Sequence, residues 1–217
     1  MNIAGRKIAA SGLTLTILLL TTVHVSAQSS RAATAASYLQ RGHDWMKRGE
    51  PERALADFDL AVASDPTLAV SWLARGIARR NQGNISEALA DIEQALKLDP
   101  QSVPCRYQRS STLYLLERHT EAEAELDTVV KLSPRFAEAY NDRGVLRHLR
   151  GAVAEAVSDY DAAIKLKPRF AAAWMNRGIA RLEQGRRAEA ERDFNEAMNL
   201  NQKFKPAVEQ LLRQSKQ

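Results

Sequence analysis

Apolar residues return at helical spacing along most of this chain, in short runs that come in pairs. In "EALADIEQALKL", residues 87–98, Ala88, Ile92 and Ala95 share one side of a helix, while Glu93, Gln94 and Lys97 share another. The run before it, "SWLARGIARR", places Leu73 and Ile77 one helical turn apart. Gly83 separates the two runs, and Pro100 follows the second. This order predicts a helix closed by a left-handed glycine, a short turn, and a second helix that stops before a proline.

The same pair is written again every 34 residues, in rows 35–68, 69–102, 103–136, 137–170 and 171–204. Place 8 of each row is small: Gly42, Gly76, Ser110, Gly144 and Gly178. Place 20 is Ala54, Ala88, Ala122, Ala156 and Ala190, and place 27 is again small or branched. Place 24 is bulky: Phe58, Ile92, Leu126, Tyr160 and Phe194. Place 32 is Pro66, Pro100, Pro134 and Pro168, and then Gln202. An aromatic residue stands at place 4 in four rows, as Tyr38, Trp72, Tyr140 and Trp174. Small residues at places 8 and 20 let two helices approach, and the bulky one fills the gap between them. A single pair cannot bury its apolar face, so the rows must stack.

Trp72, Gly76, Ala88, Ile92, Ala95 and Pro100 together resemble the tetratricopeptide repeat, and the resemblance runs through all five rows. It implies an all-α protein, a right-handed α-solenoid of antiparallel helix pairs, with a concave groove lined by each first helix. The five rows would be the five repeats, and residues 205–217 a capping helix in which Val208, Leu211 and Leu212 cover the last row. Residues 28–34 are expected to be a disordered lead-in. Row three departs most, with Arg106 for the aromatic and Ser110 and Glu117 for glycines, so a locally altered turn is expected there.

The first residues carry a different signal. Arg6 and Lys7 precede an apolar run that ends in "VSAQ", which reads as a cleavable secretory signal over 1–27, cut after Ala27. An uncleaved anchor is the alternative, since the run is almost long enough to span a bilayer. The expectation is an exported protein of bacterial type, periplasmic or secreted. Without the leader, 29 basic residues face 26 acidic ones, a mild excess that does not suit nucleic acid. Cys105 is the only cysteine, which excludes an intramolecular disulfide and suits a small buried filler.

One charged pattern keeps the same beat. Arginine holds place 7 of every row (Arg41, Arg75, Arg109, Arg143, Arg177), and an acid holds place 23 (Asp57, Asp91, Glu125, Asp159, Asp193). The repeat family commonly has an apolar residue at place 7, so this marks a sub-type. Both places lie about 12 Å from the turn at place 15 and flank the contact of places 8 and 24. On antiparallel helices they swing to the same side, which predicts a ladder of structural salt bridges, one per row. An arginine array for an anionic ligand would leave the acids unexplained.

No pattern of an active site is present. His43, His119 and His148 have no metal-ligand spacing, the glycines recur with the repeat rather than as a phosphate loop, and no cofactor is expected. The resemblance places function in the groove, lined by Leu39, His43, Leu73, Ile77, Arg80, Tyr107, Ser111, Tyr114, Asn141, Val145, His148, Met175, Asn176 and Ile179. Apolar and aromatic groups mixed with amides suit an extended peptide or a helix of a partner protein. Arg79, Arg147 and Arg181 at place 11 add positive charge near that wall, for an acidic segment or simply to cover helix surface. The expectation is a non-catalytic interaction scaffold, monomeric, with no nucleic-acid partner and no membrane contact once the leader is removed. A self-assembling structural protein or an adaptor subunit of an envelope complex is the alternative.

Overall fold

The computed structural model describes residues 28–214, which contain helices and no strand. The leader expected over 1–27 lies outside the described residues. The chain divides into two compact units, Met1–Pro100 and Gln101–Gln217. In the first unit α1 (28–47) lies against α2 (Pro51–Ser64), and α3 (Ala69–Asn81) against α4 (Ile85–Leu98). In the second, α5 (Val103–Leu115) pairs with α6 (His119–Leu132), α7 (Ala137–Leu149) with α8 (Val153–Leu166), and α9 (Ala171–Glu183) with α10 (Arg187–Leu200). A 3₁₀ turn, Gln202–Phe204, leads into α11 (Lys205–Gln214).

The first helix of each pair closes in the left-handed region at place 15. Gly49, Gly83, Gly151 and Gly185 have φ of 74°, 86°, 85° and 75°. Row three does not alter this turn. Glu117 adopts the same conformation at φ 59°, and Arg118 N donates to Leu113 O at 2.9 Å, as Asn84 N donates to Arg79 O at 2.9 Å. The bond that ends the helix outweighs the steric cost of a side chain there, about 1 kcal/mol.

Within a pair the two backbones meet at place 8. A Cβ added to Gly42, Gly144 or Gly178 would lie 2.5, 2.6 and 2.6 Å from the rings of Phe58, Tyr160 and Phe194, so only glycine fits beside an aromatic ring. Row three carries Ser110 opposite the smaller Leu126, and its hydroxyl donates to Tyr107 O at 2.7 Å. The rows share cores across their boundaries: Leu39 and Phe58 pack with Ala74 and Ala78, and Tyr160 packs with Ala180.

Both ends differ from bare repeats. Residues 28–34, expected to be disordered, continue α1: Ala32, Ala33, Ala35 and Ala36 favour helix, and Ala35 is fully buried. The Thr34 hydroxyl donates to Ser30 O at 2.9 Å. At the other end Val208 is buried, and Leu211 and Leu212 pack with it against Phe194 and Met198. Cys105 is a buried thiol in the first turn of α5.

Candidate functional site

Each place-7 arginine reaches the acid sixteen residues further on. Four forks are bidentate through Nε and Nη2: Arg41 to Asp57 at 2.7 and 2.5 Å, Arg75 to Asp91 at 2.9 and 2.7 Å, Arg143 to Asp159 at 3.0 and 2.6 Å, and Arg177 to Asp193 at 2.9 and 2.7 Å. In row three Arg109 Nη1 donates to Glu125 at 2.7 Å. All five acids are buried. The hydrogen bond from Arg41 holds the Asp57 carboxyl below the usual aspartate range, against the opposing effect of desolvation. Burial works against the charge on Arg143 and Arg177, yet their bonds to carboxylates keep both guanidinium pKa values above normal.

The seam is denser than one pair per row. Place 11 supplies a second donor to the same acid: Trp45 Nε1 to Asp57 at 3.0 Å, Arg79 to Asp91 at 2.8 Å, Arg147 to Asp159 at 2.9 Å and Arg181 to Asp193 at 2.7 Å. Row three has Leu113 at this place, and Arg106 reaches Glu125 at 3.0 Å instead. The longer glutamate and the displaced arginine thus replace aspartate and the place-11 donor together. A third contact crosses between rows, from place 7 to place 25 of the row before: Arg75 to Asp59 at 2.9 Å, Arg143 to Asp127 at 2.8 Å, and Arg177 to Asp161. The sequence held a signal for it, because place 25 is acidic in rows one to four. The place-4 aromatics stack on the same guanidinium groups, with Arg75 over Trp72 at 4.8 Å and Arg177 over Trp174 at 4.7 Å. Arg79, Arg147 and Arg181 are therefore committed to the protein's own carboxylates.

The first-helix face divides. Leu39, Asn141 and Met175 are 9%, 6% and 7% exposed and cannot line an open groove. They share place 5, whose side chain meets the next element: Leu39 packs on Ala74, Met175 clusters with Val208 of α11, and Asn141 Oδ1 accepts from Asn176 at 3.0 Å. Tyr107, at the same place, donates its hydroxyl to Asp142 at 2.6 Å and sets its ring 4.7 Å from Phe136. His148 Nε2 and Glu183 of the following row are 2.5 Å apart. Ser111 donates to Tyr107 O at 3.1 Å. Surface therefore remains at Tyr114, which is exposed, and at Val145, His148, Asn176 and Ile179, which are half-buried. In the first unit His43 is exposed with its ring edge-on to Phe58, and Leu73, Ile77 and Arg80 are half-buried.

A cavity of about 90 Å³ lies among His119, Thr120, Glu123, Leu146, Leu149 and Arg150, well short of a ligand site. Among the described residues no group of three or more His, Cys, Asp or Glu could hold a metal ion, and no helix is long and apolar enough to cross a membrane.

Models described as tetratricopeptide repeat match residues 69–102, 107–169 and 154–199, more than half of the chain. This chain belongs to the tetratricopeptide repeat family. No curated protein matches it. Among solved structures it is similar to MamA from Desulfovibrio magneticus RS-1, at 22% identity and a TM-score of 0.71 over 78% of this chain and 96% of that one. YrrB, described as a TPR protein with an unusual peptide-binding site, is 24% identical with a TM-score of 0.66, over 83% and 91% of the two chains. PilF of Pseudomonas aeruginosa is 17% identical with a TM-score of 0.74, over 79% and 78%. These likenesses show the all-α fold of consecutive helix–turn–helix repeats; the repeat family is a scaffold typical of protein–protein interaction. In this tetratricopeptide chain the seam arginines are bonded to the protein's own carboxylates.

Proposed function

We propose that the chain is a non-catalytic scaffold, exported to the cell envelope, that holds an extended peptide or a helix of a partner protein against its first-helix face. One observation carries this reading. On α5, α7 and α9 the polar groups that would otherwise compete for a partner are stitched to each other across rows, as in Tyr107 with Asp142 and Asn141 with Asn176. What they leave accessible is an apolar surface at Tyr114, Val145 and Ile179, edged by the Asn176 amide, whose nitrogen is already bonded to Asn141. Such a surface recognises side chains by shape and backbone by amide contacts. The likeness to YrrB, itself described as peptide-binding, supports the same use of the fold. The leader "VSAQ" supports export.

The test places a photo-crosslinking amino acid at Tyr114 or Ile179, and at Glu155 or Ser158 on the exposed side of α8. A polypeptide captured from the first-helix positions and not from α8 is the expected result. Capture from α8 alone would move the binding surface to the second helices, and a precursor retained in the cytoplasm would remove the export reading.

A further inference from the structure

Six exposed cations of the second unit gather on one edge. Its turns after α6, α8 and α10 all lie where a second helix hands over to the next element. They are neighbours: Lys167 of one turn bonds Glu138 at the start of α7 at 2.5 Å, and Tyr140, Phe170 and Trp174 share a core, with Trp174 also packing in the core that contains Phe204. Lys131 and Arg135, Lys165 and Arg169, and Lys203 and Lys205 flank these turns and are all exposed. None of the six forms an ion pair among the described residues, whereas the arginines of the seam and of the opposite turns are paired with carboxylates. The turn itself does not demand these cations. After α2 it reads Asp65, Pro66, Thr67, Leu68, and Asp65 closes it by accepting from Thr67 N at 3.0 Å and from the Thr67 hydroxyl at 2.6 Å.

Two exposed leucines stand in the same strip, Leu132 at 42% and Leu166 at 37%, next to Lys131 and Lys165. With adjacent rows about 10 Å apart, the cations and leucines spread over about 20 Å without forming a pocket. We propose that this edge docks on the anionic headgroup layer of a lipid bilayer, with lysine and arginine on the phosphates and the two leucines in the interface. Single-stranded nucleic acid would call for exposed stacking rings, and Phe136, Phe170 and Phe204 are instead half-buried between rows. An acidic peptide would give the leucines no apolar partner. The surface is separate from the first-helix face and stands without it, and it departs from the sequence-based expectation of no membrane contact.

The test floats the full chain with vesicles of phosphatidylcholine alone and of phosphatidylcholine mixed with phosphatidylglycerol. The readout is the ratio of the two partition coefficients, in which apolar insertion common to both vesicles cancels. The ratio is expected to exceed about a hundredfold at low salt and to fall toward unity at molar salt. Lys165→Gln with Arg169→Gln should lower it about thirtyfold, while Arg31→Gln with Lys47→Gln, exposed in α1 and equal in charge change, should leave it unchanged. Leu132→Ser with Leu166→Ser should weaken binding to the mixed vesicles about tenfold. Circular dichroism checks that every variant folds. An equal fall for both charge pairs would overturn the proposal. So would capture of soluble polyglutamate or an oligonucleotide through Lys165 and Arg169 with vesicle binding indifferent to the leucines.

Discussion

Removing Arg143 and Asp159 singly and together measures whether the seam acts as one network. The Asp159 side chain is 4% exposed and takes bonds from Arg143 Nε at 3.0 Å, Arg143 Nη2 at 2.6 Å and Arg147 Nη1 at 2.9 Å. Stripping one partner from a buried pair costs about 3–5 kcal/mol. The lower end applies here, because every survivor keeps a partner. After Arg143→Ala, Asp159 still holds Arg147; after Asp159→Ala, Arg143 keeps Asp127 at 2.8 Å and Arg147 keeps Glu123 at 3.1 Å. Each single variant is expected to lose about 3 kcal/mol. Because both substitutions delete the same two bonds, the double variant should lose about 4 kcal/mol rather than about 6, a coupling of about 2 kcal/mol. Urea denaturation followed by circular dichroism at neutral pH provides the cycle, read from the midpoints at constant slope. Additivity to within about 0.5 kcal/mol would refute the shared network.

Gly144→Ala should cost about 1–2 kcal/mol, since the new methyl would sit 2.6 Å from the buried Tyr160 ring, which must shift. Gly76→Ala, whose methyl would lie 3.0 Å from Ile92 Cγ1 and 3.1 Å from the Ala88 carbonyl oxygen, is less crowded and should cost less than Gly144→Ala, and thermal melts compare the two. Glu117→Gly is expected to raise stability by about 0.5–1 kcal/mol, because φ 59° strains a glutamate and suits glycine. Acid should weaken the first row: the Asp57 carboxyl is depressed when folded, so its contribution is present above about pH 4 and disappears as pH falls through the lower folded value. Urea midpoints at neutral and acid pH should therefore differ less for Asp57→Asn than for wild type. In alkali the buried Tyr160, whose pKa is raised by burial and by nearby Asp159 and Asp142, should resist ionisation, and Tyr160→Phe should remove part of the stability loss above about pH 10.

The helix pairs, their glycine turns and the partners of places 7 and 23 were legible because each is a local rule repeated at one interval. Five copies of a 3.6-residue rhythm, punctuated by Gly83 or Pro100 and their counterparts, leave little freedom for the backbone. Where a rule was broken, reading by residue type misled. Glu117 takes glycine's conformation because the helix-ending bond enforces it, and residues 28–34 are helical because Ala35 finds a buried site. Helical phase alone turns place 5 toward an open groove, because it says which way a side chain points and not what stands in front of it. Leu39, Asn141 and Met175 are covered by the following element.

What the sequence by itself determined is the beat: which residues face a partner helix, where each helix ends, and that charge of both signs recurs in register. Only the tertiary structure decided how that charge is spent. Packing rows together draws Asp59, Asp127 and Asp161 onto the arginines of the next row, and leaves Lys131, Arg135, Lys165, Arg169, Lys203 and Lys205 exposed and outside these pairs. A nearly balanced composition thereby separates into a neutralised seam and a positive edge, because pairing depends on distance across helices rather than on proximity along the chain.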